Sequence, residues 1–272
     1  MSNQDLVMYH REEHIGFITL NRPDKLNAMN VALWMSLGRA VSEADRDGQA
    51  RVVIVRGRGR AFCAGLDLSP DNELLASLTS APCAAQKAGL IEQIRKIQNV
   101  HTALEKLGKP TIAAIQGYCL GGGLELALCC DIRLASSDAV FALPESRLAI
   151  ITDVGGLQRL PRVVGPGHAR EISFRGHRFD AARAKEINLV NYVCRDQAAL
   201  DLAVLEMAGE IAANPPLAVQ GAKDVFLFNE TVSVEESLEY NAARSVMILP
   251  SEDLGEAVAA VAAKRKGNYQ GA

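Results

Sequence analysis

The sequence predicts an α/β fold in which glycine loops at strand ends carry the chemistry. RVVIVRG (51–57) and TIAAIQG (111–117) are short apolar runs that end in glycine, the pattern of strands buried on both faces. Each passes through a glycine loop toward a helix, and ligands gather at that end of the strands in α/β folds. After Gly165 the chain becomes largely helical. A soft boundary near residue 195 therefore separates an α/β core (1–195) from a helical C-terminal region (196–272).

The elements follow in order. LVMYHREE and HIGFITL alternate as strands through Val7, Tyr9, Ile15, Phe17 and Thr19. NRPDK (21–25) is a turn. Asn30 is placed to cap a helix over 31–45, where Leu33, Leu37, Ala40, Val41 and Ala44 recur at helical spacing. The strand at 51–57 leads into GRGRAFCAGLDL, a loop with glycines at 57, 59 and 65. Residues 69–90, with Pro70, Pro82 and many small side chains, predict a mobile loop holding fragments of helix. A helix over 91–107 shows Ile94, Ile97, Val100, Leu104 and Leu107 on one side. Pro110 starts a strand over 111–116; then come the glycine turn, a helix at LELALCC and strands at DIRLASS and AVFALPE. Helices are predicted over 169–174, 180–187 (capped by Asp180), 198–214, 217–228, 234–249 and 254–266, with NPP at 214–216 as a break.

At 272 residues the chain suffices for one large core, or a core with an appendage. A net charge of -3 with mixed signs lacks the basic stripe of a nucleic-acid binder. Cys63, Cys83, Cys119, Cys129, Cys130 and Cys194 fit no zinc spacing and read as buried free thiols of a reducing compartment. The polar start lacks a signal-peptide run, no stretch approaches about 20 apolar residues, and the end is not an SKL-type address. A cytosolic location without membrane insertion is the expectation. Nucleotide-binding, GxSxG and HExxH signatures are missing, and the five histidines suggest no metal site.

What remains is glycine loops and carboxylates. Gly121, Gly122 and Gly123 come just before a helix, so their N–H groups face outward with the helix dipole behind them. The loop at Ala64, Gly65 and Leu66 offers a second N–H. Two such donors on one oxygen stabilise an oxyanion. Close helix packing or a flexible turn explains a triple glycine equally well. Glu125, Glu145 and Asp153 lie in the same segment.

FCAGLDL, IAAIQGYCLGGGLELALCCDIRLAS, FALPE and DVGGLQRLPRVVG, with NRPDKLNAMN before them, resemble the crotonase (enoyl-CoA hydratase/isomerase) superfamily nearly end to end. The resemblance implies a spiral of ββα units with a helical C-terminal trimerisation region, and assembly as a homotrimer or a dimer of trimers. It implies an acyl-CoA thioester as substrate and no separate cofactor. The thioester oxygen would sit between the N–H groups of Leu66 and Gly122. CoA contacts would come from Lys25, Ala64, Asp67, Leu68 and Lys264.

Within that superfamily the acids differ. Hydratases carry two glutamates, matched here by Glu125 and Glu145, and usually glycine eight residues after the second, where this chain has Asp153. TDVGGLQRLPRVVG is similar to the Δ3,5-Δ2,4-dienoyl-CoA isomerases, which have aspartate there; at the position of Glu125 they typically carry aspartate, so Glu125 departs toward the hydratase pattern. Moving a 3,5-diene to 2,4 removes a proton at C2 and returns one at C6. Glu145 is the expected base, Asp153 the acid, and Glu125 a group that tunes its neighbours or holds a water. Neighbouring acids raise one another's pKa. The alternatives are a hydratase using Glu125 and Glu145, and Asp153 as a helix N-cap.

Overall fold

The computed structural model describes residues 5–79 and 83–272. In chain order the elements are β1 (Val7–Glu12), β2 (Ile15–Leu20), α1 (Val31–Arg46), β3 (Val52–Gly57), α2 (Glu73–Thr79), α3 (Ala84–Glu105), β4 (Thr111–Ile115), β5 (Tyr118–Leu120), α4 (Gly122–Ala127), β6 (Ile132–Ser136), β7 (Val140–Ala142), α5 (Gly156–Arg175), β8 (Phe179–Asp180), α6 (Ala181–Glu186), β9 (Tyr192–Cys194), α7 (Gln197–Ala212), α8 (Pro216–Asn229), α9 (Val234–Met247) and α10 (Glu252–Ala262). The predicted caps form: Asn30 accepts from Leu33 N–H at 2.9 Å and Asp180 from Arg183 N–H at 2.8 Å. The helical fragments expected within 69–90 are α2 and the first turns of α3; part of that stretch, with Pro82, lies outside the described residues.

Among the described residues β1-β2-β3-β4-β6-β9 form one sheet, antiparallel only between β1 and β2. Both its faces are covered, which is why β3 reads as a continuous apolar run. Val53 and Val55 point into the main core with Leu33, Leu37 and Val41 of α1. Val52 and Ile54 point the other way, against Leu200, Val204 and Ala208 of α7. The helical part after residue 195 thus begins with an element packed on the sheet. Burying Leu200 and Val204 stabilises by roughly 1.5–3 kcal/mol each.

A second sheet, β5-β7-β8, builds the site's backbone. The loops zip together in parallel. Cys63 N–H donates to the Tyr118 carbonyl at 2.8 Å, and Leu120 N–H to the Cys63 carbonyl at 3.0 Å. Gly121 N–H donates to the Ala142 carbonyl at 2.9 Å. On the other side Met29 N–H donates to the Gly65 carbonyl at 2.7 Å and Asp67 N–H to the Met29 carbonyl at 3.0 Å. Four separate stretches of chain are therefore fixed against one another around residues 63–67.

The six cysteines are free, but the expectation that they are all buried is corrected at two. Cys83, before the first turn of α3, is exposed, and Cys194 on the edge strand β9 is half-buried. Among the described residues no helix is long and apolar enough to cross a membrane.

Candidate active site

The zipped loops fix where two N–H groups point. Along an extended strand, successive peptide groups face opposite sides. Since the Gly65 carbonyl and the Asp67 N–H both bond Met29, the N–H of Leu66 faces away from Met29. Gly122 opens α4, where the first N–H groups have no intrahelical acceptor. Neither N–H finds an acceptor among the described residues. Leu66 and Gly122 line one cavity of about 280 Å³, together with Glu125, Glu145 and Asp153. Gly65 lets the two loops touch: a Cβ there would stand 2.6 Å from the Leu120 carbonyl oxygen.

The triple glycine divides into separate tasks. A Cβ on Gly121, whose φ is +50°, would meet Glu145 Oε1 at 2.5 Å. A Cβ on Gly123 would meet the Cys63 carbonyl oxygen at 2.6 Å. On Gly122 it would meet only Met29 Sδ and Trp34 Cζ2, at 3.4 and 3.5 Å. Close packing explains Gly123, and room for an acid explains Gly121.

Glu125 is buried on α4. Its Oε1 accepts from Val154 N–H at 3.1 Å and Gly156 N–H at 2.8 Å. It therefore caps α5 from another helix, while Gly155 at the cap position supplies no side chain. Burial pushes its carboxyl up to about 8; the neighbouring Glu145 and Asp153 add to this, and the two N–H groups oppose it. Glu145, half-buried after β7, accepts from Thr152 Oγ1 at 3.2 Å and is raised by burial and by Asp153. Asp153 is held through its carbonyl, which accepts from Gln98 Nε2 at 2.6 Å. Its carboxyl, also raised by burial, caps no helix.

Ala64 and Leu68 of the expected CoA contacts lie in the cavity wall; Lys25, Asp67 and Lys264 do not. Lys25 is exposed on the turn after Pro23, and Lys264 is exposed beyond α10. Asp67 is buried, its carboxylate taken up by Arg22 and by Ser69. The rest of the wall was not legible from the motifs. Leu74 of α2, Ile94 and Ile97 of α3 and Trp34 of α1 make an apolar lining, and Arg178 stands at its edge. The lone tryptophan, inside an amphipathic helix, was the one available signal.

Two N–H groups without acceptors among the described residues and three acids line one apolar cavity, an arrangement suited to stabilising a developing oxyanion. The family model described as Enoyl-CoA hydratase/isomerase matches residues 10–272. The chain belongs to the enoyl-CoA hydratase/isomerase family. Its crotonase fold agrees with that of an enoyl-CoA hydratase from Bacillus anthracis, with a TM-score of 0.88 at 33% identity, covering 98% of this chain and 100% of the other. Among curated family members it is 38% identical to the peroxisomal Δ(3,5)-Δ(2,4)-dienoyl-CoA isomerase of Arabidopsis thaliana, over 97% of this chain and 96% of that one. It is 36% identical to the mitochondrial enzyme of that name from Mus musculus, over 93% of this chain and 78% of that one. The chain is thus an acyl-CoA isomerase or hydratase of this family, with similarity to members of both kinds.

Proposed function

We propose that the protein is a Δ3,5-Δ2,4-dienoyl-CoA isomerase. The observation that carries this reading is Asp153: its carboxyl shares a cavity with Glu145 and has no capping task. Glu145, ionised, takes a proton from C2 of the 3,5-dienoyl thioester. The electrons pass into the thioester carbonyl, and the dienolate oxygen accepts hydrogen bonds from Leu66 and Gly122 N–H. Protonated Asp153 gives its proton to C6, the double bonds settle at 2,4, and the thioester carbonyl reforms. Glu145 is left holding the proton taken from C2 and Asp153 is left ionised, and proton exchange with solvent restores both. Burial favours the protonated form of both carboxyls, which suits Asp153 as the acid and raises the pH at which Glu145 becomes a base. Glu125, pushed up to about 8, stays largely protonated at neutral pH and adds no second charge beside Glu145.

Lys25, Asp67 and Lys264 belong to the CoA end of the proposal, with Ala64 and Leu68 in the wall at the thioester end. No separate cofactor is needed for these proton transfers. A homotrimer or a dimer of trimers is proposed too. Apolar side chains exposed on α8, α9 and α10, among them Phe226, Met247 and Val261, support burial against further copies; light scattering in solution tests it.

The deciding experiment supplies a 3,5-dienoyl-CoA and a 2-enoyl-CoA separately. Conjugated-diene absorbance should grow with the first, and little water should add to the second. Fast hydration without diene isomerisation would make the protein a hydratase working through Glu125 and Glu145.

A further inference from the structure

A second groove, of about 510 Å³, adjoins the catalytic cavity and shares Leu120, Pro144, Leu148 and Arg178 with it. It also holds Arg147. Among the described residues neither guanidinium has an ion pair or a hydrogen bond. Most arginines nearby are engaged: Arg159 with Glu105, Arg175 with Glu171, and Arg183 with Glu171 and Glu186.

The two unpaired heads nonetheless stand on ordered supports. The stem of Arg147 packs on Gly176, where a Cβ would meet its Cγ at 2.8 Å. Gly176 has a φ of +56° and ends α5, so the close approach and the turn both rely on glycine. Arg178 lies over the ring of Tyr118, its Cζ 5.3 Å from the centroid. Tyr118 begins β5, the strand that leads into the Gly121 turn. The cationic pair is thus tied to the same backbone that presents the Gly122 N–H.

We propose that Arg147 and Arg178 form an anion-binding site at the mouth of the catalytic cavity, for a negatively charged group carried by the thioester substrate. Two groups have this chemistry: a phosphate of the CoA moiety, and a carboxylate on the acyl chain. The proposal rests on the acyl-CoA reading of the cavity but not on the isomerase reading. Planar guanidinium forks suit either anion, and their charge offsets the repulsion an anionic substrate meets from the cavity's acids.

The test is calorimetric binding of three unreactive ligands: octanoyl-CoA, octanoyl-pantetheine and octanedioyl-CoA. Each is titrated into the parent protein and into Arg147→Gln, Arg178→Gln and the double variant, with thermal melts to check folding. If the site takes a CoA phosphate, the double variant should weaken octanoyl-CoA by about three- to thirtyfold and leave octanoyl-pantetheine unchanged, at the scale of two exposed charge contacts. If it takes a chain carboxylate, the loss should fall on octanedioyl-CoA alone. Parent-like binding of all three by the double variant would overturn the anion site and spare the acyl-CoA reading. Failure of the parent to bind any of them would overturn both. Whether dienes are isomerised does not enter either result.

Discussion

Glu125 Oε1 accepts the backbone N–H of Gly156 at 2.8 Å, so a carboxyl on α4 closes the N-terminus of α5. A Cβ on Gly156 would stand 2.9 Å from Glu125 Cγ, so only glycine admits this cap. Glu125→Ala should leave the buried N–H groups of Val154 and Gly156 without an acceptor, costing about 2–4 kcal/mol of stability in denaturant titration. Glu125→Gln keeps an acceptor oxygen and should cost about 1 kcal/mol or less. The pH dependence has a definite sign. The folded carboxyl is pushed up to about 8 from 4.5, so the stability it contributes is complete below 4.5 and is lost as pH rises through 8. Glu125→Gln should therefore flatten the decline of stability between those values, and an unchanged decline would remove Glu125 as its source.

That cap joins residues 31 apart, and its distance explains what the sequence does and does not disclose. Local patterns are legible: the Asn30 and Asp180 caps, the period of α1 and the buried strands all depend on neighbours within a turn. The structure shows α5 broken at Gly165, where φ is +78° between Pro161 and Pro166. Strand β5 is not legible. Three residues between two glycines show no alternation, and they become a strand only because Cys63 and β7 flank them. Asp153 beside VGGLQRL has the local signature of an N-cap, yet Glu125 holds that end of the helix from a distance. The same long-range packing pairs the buried Asp67 with Arg22, a contact its motif does not disclose.

The glycines give a graded prediction. Gly121→Ala drives a Cβ to 2.5 Å from Glu145 Oε1 at a φ of +50°, so both the Glu145 carboxyl and the turn must shift. Turnover should fall by about 10²–10³-fold, the scale of losing one oxyanion donor. Gly122→Ala meets only ordinary contacts and should keep the parent's melting temperature. Gly123→Ala strikes the Cys63 carbonyl, a backbone atom that cannot turn aside, and should destabilise the fold itself. Equal effects at all three would mean that the loop is merely flexible.

The two acids set the pH profile of turnover. In the proposed mechanism Glu145 works ionised and Asp153 protonated, so the rate should rise as the first loses its proton and fall as the second does. Burial raises both, so both limbs should lie above the ordinary carboxylate range. Asp153→Asn should abolish diene isomerisation while octanoyl-CoA still binds. Unchanged isomerisation would leave Asp153 as wall lining only.

Asp67 offers the last test, of how Leu66 is held. Its buried carboxylate accepts from the Ser69 N–H at 2.9 Å, from the Ser69 hydroxyl and from Arg22. Burial alone would raise its pKa, but the Ser69 and Arg22 hydrogen bonds outweigh it and hold the group down to about 2 from 3.8. Its stabilising contribution is therefore complete above 3.8 and is lost as pH falls through 2. Asp67→Asn should cost about 1.5–3 kcal/mol at neutral pH, the range for hydrogen bonds to a charged group, and should flatten the loss of stability in that acid window. The backbone bridge from Met29 to Gly65 and Asp67 survives the substitution, so the Leu66 N–H keeps its direction. Turnover should accordingly fall less than in Gly121→Ala. A larger fall would show that the Arg22–Asp67 pair, more than the backbone bridge, aims the Leu66 N–H.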